Sequence, residues 1–176
     1  MTKNPAFRTR PRFAAPALPT LFALTLLGSV ACSGGNSPTA PTMSSQAPQN
    51  IAAASASLVN QARGSAALNG LVFDPALCEV AQQYSEKMRN EGTMSHVGSD
   101  GSTVAQRLAA YGVHYTMAGE NLATVQGGDP AQAAHKGFMG SASHRANILE
   151  SRFTAVGVGV ATDGESYWLT QIYIRD

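Results

Sequence analysis

Three residues of this chain have side chains that could do chemistry together: His96, Glu120 and His144. His96 lies in Met94-Ser95-His96, Glu120 in Ala118-Gly119-Glu120-Asn121-Leu122-Ala123, and His144 in Ser141-Ala142-Ser143-His144-Arg145-Ala146-Asn147-Ile148-Leu149. Two neutral imidazoles and one carboxylate make an acceptable first shell for zinc or another divalent cation, with water in the open fourth position. Such a water, once polarised, could attack a carbonyl. Glu120 would then act as ligand or as general base, since one carboxylate does not easily do both. The competing reading is structural, with both histidines lining a polar pocket and hydrogen-bonding to Glu120. No His-Glu-x-x-His zinc-protease segment is present.

The other reactive side chains read more simply. Ser141 and His144 are three apart on one helical turn, but no Gly-x-Ser-x-Gly elbow surrounds the serine, and helix capping accounts for Ser141 or Ser143. His135 falls in an Ala-rich helix and is expected at the surface, and His114 precedes the Glu120 strand. Cys78 sits beside an apolar helical stripe, where packing as a small apolar residue outweighs service as a nucleophile.

The elements that must position these groups can be read from period and punctuation. Asn50 to Leu68 is Ala-rich, with Ala54, Leu58 and Ala62 on one helical stripe and Gly64 and Gly70 marking its end. Asp74-Pro75 supplies an N-cap and a proline at the first helical position, and Leu77, Ala81, Tyr84 and Met88 form a buried face, so a second helix runs from Pro75 to Asn90. Ser102 or Thr103 caps a short third helix carrying Val104, Leu108 and Tyr111, and Gly112 stops it. Asp129-Pro130 opens a fourth. The C-terminal quarter alternates with period two, Val156, Val158 and Val160 against glycines and alanine, then Trp168, Thr170, Ile172 and Ile174 against Tyr167, Leu169, Gln171 and Tyr173. Thr162-Asp163-Gly164-Glu165 between them predicts an antiparallel hairpin, and Met117–Val125 predicts a third strand. Helices on both sides of a small antiparallel sheet would cover its apolar faces.

Ahead of this domain, Lys3, Arg8, Arg10 and Arg12 precede an apolar stretch from Leu18 to Val30, shorter than the roughly 20 residues that span a bilayer. Residues 1–31 are therefore expected to be an export signal that is cleaved, in preference to a permanent anchor. Gly28-Ser29-Val30-Ala31-Cys32 looks like a bacterial lipoprotein processing site, although Ser29 stands where Leu is more usual. Acyl chains on Cys32 would then hold the protein at a cell or outer membrane surface, ordinary secretion being the alternative. Residues 32–48 carry no charge and, after Cys32, consist of Ser, Gly, Pro, Thr, Asn, Gln and Ala with one Met, so they read as a disordered tether. Residues 49–176 suit one domain with its own core, expected to be a monomer.

Four of the twelve basic residues and none of the eleven acidic ones lie in residues 1–31, so the remainder carries eight basic and eleven acidic side chains and a net charge of −3. No basic cluster remains to bind nucleic acid. With Cys32 lipidated, Cys78 has no partner for an intramolecular disulfide.

Ordered blocks across residues 50–176 carry a resemblance. They are Asn60-Gln61-Ala62-Arg63; Leu77, Ala81 and Met88; Met94-Ser95-His96; Arg107-Leu108 with Tyr111-Gly112; Gly119-Glu120-Asn121; Ser143 to Leu149; Phe153; Val156-Gly157-Val158-Gly159; and Tyr167-Trp168-Leu169-Thr170-Gln171. Their order resembles the CAP superfamily of cysteine-rich secretory, antigen-five and pathogenesis-related proteins, in particular its short bacterial members. The resemblance implies an α/β fold, the three-layer α-β-α sandwich with a small antiparallel sheet known as the CAP fold. It also implies a pocket in which His96, Glu120 and His144 match three members of a metal-binding tetrad of two histidines and two acids. The fourth position is Ser141 here, three residues after Phe138, and Asn121 is expected to line the same pocket. Three functions follow as expectations: a module at the cell envelope that binds a lipid, wall polymer or protein, a metal-dependent hydrolase or endopeptidase with Glu120 as candidate catalytic residue, or a structural module without catalysis.

Overall fold

The computed structural model describes residues 48–176. The export signal, Cys32 and the tether up to residue 47 lie outside the described residues; Pro48, read above as the last tether residue, opens the first helix.

Among the described residues, nine elements follow in chain order: α1 (Pro48–Ser65), β1 (Val72–Phe73), α2 (Pro75–Glu91), α3 (Val104–Ala110), β2 (Met117–Gln126), α4 (Pro130–Gly140), α5 (Ala142–Ile148), β3 (Ala155–Thr162) and β4 (Ser166–Arg175). The strands form one sheet in the order β1-β3-β4-β2. β3, β4 and β2 are antiparallel, as the hairpin signal requires, whereas the two-residue β1 pairs in parallel with β3. No helix among the described residues is long and apolar enough to cross a membrane.

Local chemistry sets most of the boundaries. The Asp74 carboxylate accepts from the amides of Ala76 and Leu77, closing the first turn of α2, and Gly92 ends it in the left-handed region at φ +62. Thr103 and Gln106 make a reciprocal capping box on α3, and Asp129 caps α4 through the amides of Ala131 and Gln132. α1 ends differently from expectation: neither Gly64 nor Gly70 stops it. Ala67 takes the left-handed conformation at φ +56, and the Leu68 amide returns to the Arg63 carbonyl.

The sheet separates two apolar layers, because successive strand side chains point to opposite faces. On one face, α1, α4 and α5 pack over Val156, Val158, Val160, Leu169 and Tyr173. On the other, α2 and α3 cover Ala155, Ile172 and Ile174, and the α2 residues Tyr84 and Met88 pack with Leu122 and Trp168. The buried stripe of α1 is Ile51, Ala52, Ser55, Ala56, Val59 and Arg63; the predicted Ala54, Leu58 and Ala62 flank it, half-buried. Arg63 is buried because it works as a tie. Its guanidinium donates to the carbonyls of Asn69 at 2.8 Å, Ile148 at 2.9 Å and Glu150 at 2.8 Å, fastening the end of α1 to the end of α5.

The α2 layer sits unusually close to β3. A Cβ at Gly157 would lie 2.3 Å from the backbone of Leu77, and one at Gly159 would lie 2.2 Å from that of Ala81. The approach lets Ser85 donate to the Gly159 carbonyl at 3.0 Å and the Val160 amide donate to Gln82 at 3.0 Å. Since backbone cannot yield as a side chain can, Gly159→Ala should destabilise the fold by about 3 kcal/mol, the upper end of ordinary overpacking. Urea unfolding measures it, and an unchanged midpoint would mean that α2 can move off the sheet.

Candidate functional site

Glu120 lies near the middle of β2, the edge strand of the sheet. Its register partner is Ile172, so its side chain enters the layer between the sheet and α2/α3. There the carboxylate is 3% exposed, and both of its oxygens are engaged. Arg107 Nη2 of α3 donates to Oε2 at 2.5 Å, and His96 Nδ1 lies 2.8 Å from Oε1. Because a carboxylate only accepts, Nδ1 carries the proton, and Nε2 of His96 is the ring atom left for a ligand.

A chain of contacts holds this pair in place. The Arg107 guanidinium rests 3.4 Å above the centre of the Tyr84 ring from α2, and Nη1 donates to the Ser102 carbonyl at 2.8 Å. The Tyr84 hydroxyl donates to the carbonyl of Ser95, the residue before His96. One tyrosine thus supports the cation that neutralises Glu120 and anchors the segment that brings His96 to it. The His96 side chain remains 58% exposed. Sequence reasoning named Arg107 and Tyr84 but did not join them to the site. The signal was there: Arg107 is a lone cation among the apolar Val104 and Leu108 of α3 and Tyr111 at its C-cap, and a buried cation needs an anion.

His144 arrives from the other side of β2, on α5. Its ring meets Phe138 of α4 edge-on, with centroids 5.3 Å apart. Burial lowers its pKa first, and the charge of His96 lowers it further, so the two imidazoles feel each other. Ser141 occupies the N-cap position of α5, yet its hydroxyl makes no cap bond; it lies 3.2 Å from the Ser143 hydroxyl. A cleft of about 320 Å³ is lined by Met94, Leu122 to Val125, Ala133, Ala134, Gly137, Phe138, Ser141 and His144. His96 and Glu120 are not part of that lining.

Asn121, expected in the pocket, is fully buried behind it, because strand alternation turns it to the sheet face opposite Glu120. It donates to the His144 carbonyl at 3.1 Å and to Gln171 Oε1 at 3.3 Å, and accepts from Asn147 at 2.9 Å. Gln171 continues the seam to Ser55 of α1 at 2.9 Å and accepts from the Tyr173 hydroxyl at 2.5 Å. These bonds suspend α5, and with it His144, from the sheet and α1.

The remaining candidates stand apart. His114 is exposed. His135 is half-buried, where surface exposure was expected, its Nδ1 has no partner among the described residues, and burial lowers its pKa. Cys78 is half-buried, and burial raises its thiol pKa, which suppresses the reactive thiolate.

The predicted cation shell does not assemble. Among the described residues, no three His, Cys, Asp or Glu side chains come within reach of one ion. The chemistry of Glu120 explains this, since its charge is already balanced by Arg107 and a dication approaching it would meet that guanidinium. Glu120 is therefore not free, as it stands, to be the carboxylate ligand of a three-residue zinc shell with His96 and His144.

The comparisons agree with the fold. The family model for the cysteine-rich secretory protein family, CAP, matches residues 56–173. The Bacillus subtilis (strain 168) protein YkwD is 32% identical over 114 residues, 65% of this chain and 43% of that protein. The crystal structure of an extracellular protein containing an SCP domain from Bacillus anthracis superposes with a TM-score of 0.68 at 30% identity, over 80% of this chain and 45% of that one. An outer surface protein from Borrelia burgdorferi shares the fold, with a TM-score of 0.65 at 22% identity over 74% of this chain and 96% of that one. The chain belongs to the CAP family, and it spans less than half the length of the two Bacillus relatives.

The lowered His144 pKa sets a pH dependence. An unfolded histidine titrates near 6.5 and the folded one lower, so the unfolded chain binds more protons in the window between the two values. The stability that His144 contributes is present above 6.5 and falls as pH drops through that window; His135 acts in the same direction. Urea midpoints should decrease between about pH 7.5 and about pH 5.5, and decrease less in His144→Gln. An equal decrease in the variant would show that His144 does not titrate low.

Proposed function

We propose that this chain is an exported, monomeric binding module that receives a small amphiphilic lipid of the cell envelope in the cleft lined by Phe138, Ser141 and His144. The observation that carries the reading is the engagement of Glu120. Both oxygens of the carboxylate that hydrolysis would need are held, one by Arg107 and one by His96. What is left is a concave surface suited to holding a molecule. The cleft walls are mainly apolar, from Met94, Leu122, Val125, Ala134 and Phe138, with His144 and Ser141 as polar groups. Such a surface matches a ligand with a hydrocarbon body and a polar head, and its volume falls within the range of small-molecule sites. Export and attachment through acyl chains on Cys32 belong to the same proposal and rest on the sequence of residues 1–48.

Gly137 offers a direct test. It lines the cleft, and nothing lies within 4 Å of a Cβ placed on it, so Gly137→Leu adds bulk there without disturbing the helix. The full chain in zwitterionic detergent should bind a fluorescent fatty acid, and Gly137→Leu should weaken that binding about tenfold or more. No binding, or equal binding by the variant, would remove the lipid reading. Zinc-dependent peptide cleavage lost in His144→Ala would put a hydrolase in its place. Separately, Cys32→Ala should leave the membrane fraction, and equal retention would contradict acyl anchoring.

A further inference from the structure

A second groove opens on the face of the molecule covered by α2 and α3 and shares no lining residue with the His144 cleft. Its volume is about 360 Å³, within the range of small-ligand sites. Gln83 and Lys87 of α2 form one wall and Gln106 and Tyr111 of the α3 segment the other, with Asp100 on the connecting loop and Arg107 also lining it.

Both cations here are already paired. Lys87 Nζ lies 3.1 Å from Glu91 and 3.4 Å from Asp100, and Arg107 is committed to Glu120. Hydrogen bonds from Ser102 and the neighbouring Lys87 hold the Asp100 carboxyl ionised, with its pKa down to about 2. An anion would have to displace a carboxylate from its cation, and a cation would meet Lys87 and Arg107. A purely apolar ligand would strip water from two amides and an ion pair without replacing their hydrogen bonds. The lining thus selects a neutral ligand that both donates and accepts.

Tyr111 adds an apolar platform. It stands at the C-terminal cap of α3 and is 47% exposed, so about half of a large aromatic side chain is open to solvent. Gln106 uses Oε1 to cap Thr103, which leaves its Nε2 donor free, and Gln83 keeps its Oε1 acceptor. The loop is fixed in advance: the Gly98 amide donates to Ser102 at 2.9 Å, the Gly101 amide to Gly98 at 2.8 Å, and Arg107 to Ser102 at 2.8 Å. A wall that is already ordered loses little conformational freedom on binding.

We propose that this groove binds a neutral oligosaccharide, one sugar ring laying its C–H face on Tyr111 while its hydroxyls bond to Gln83, Gln106 and the Asp100–Lys87 pair. The proposal is independent of the reading of the His144 cleft. The test is titration calorimetry of the full chain, in zwitterionic detergent, with chitotetraose and maltotetraose as neutral probes and a heparin tetrasaccharide as the anionic one. At least one neutral probe should bind, and Tyr111→Ala should weaken it roughly tenfold, the scale of one lost aromatic contact. Gln83→Ala, an exposed change on α2, should weaken it in the same direction. Failure of both neutral probes, binding of the heparin fragment alone, or affinity unchanged in both variants would overturn the proposal.

Discussion

The arrangement of this domain depends on one buried ion pair, Glu120 with Arg107. Glu120 is nearly inaccessible, and the Arg107 side chain is only 10% exposed. Taking both charges out of water is unfavourable, so such a pair adds little net stability over an apolar pair of the same volume, whereas removing one partner alone leaves an unbalanced buried charge. The consequence of the pair is therefore mainly positional. It joins α3 to the middle of β2, and through Tyr84 it also engages α2 and the segment of Ser95 and His96. The same cation lines the α2/α3 groove, so one side chain shapes both that groove and the Glu120 site.

Adjacent residues of β2 divide the labour because a strand alternates its faces. Glu120 turns toward α2 and α3. Asn121 turns toward α1 and α5, where the seam from Asn147 through Gln171 to Ser55 holds α5 in place, while Arg63 fastens its C-terminal end. The two imidazoles reach the site from opposite sides, His96 through the pair and His144 through the seam. The site has the residue types of a metal centre, but among the described residues no three of them converge, and its carboxylate is paired with an arginine.

Much of the fold was legible because its signals are local. Asp-Pro at two helix starts, the Thr103–Gln106 box and the period-two C-terminal strands each act within a few residues, and the structure follows them. The two-residue β1 was not legible, since its strand character comes entirely from pairing with β3. The end of α1 was less legible, because Ala67 takes the left-handed conformation there, which an alanine does not advertise. At the site, the residue types were legible and their partners were not. Arg107 lies 13 residues before Glu120, and only packing of α3 against β2 brings them together. Asn121 was read with its neighbour Glu120, although adjacent strand residues point apart. Gln171 is polar on a buried strand, and its meaning appears only once Ser55, Asn121 and Tyr173 surround it.

A double-mutant cycle on Glu120 and Arg107 tests the account most directly, with the full chain unfolded in urea for Glu120→Gln, Arg107→Met and the pair. The ion pair predicts that each single change is destabilising by about 3–5 kcal/mol and that the double change is milder than their sum by at least about 1 kcal/mol. Additive effects, or a Glu120→Gln protein as stable as the parent, would contradict it and return the Glu120 carboxylate to the pool of groups available for metal binding and catalysis.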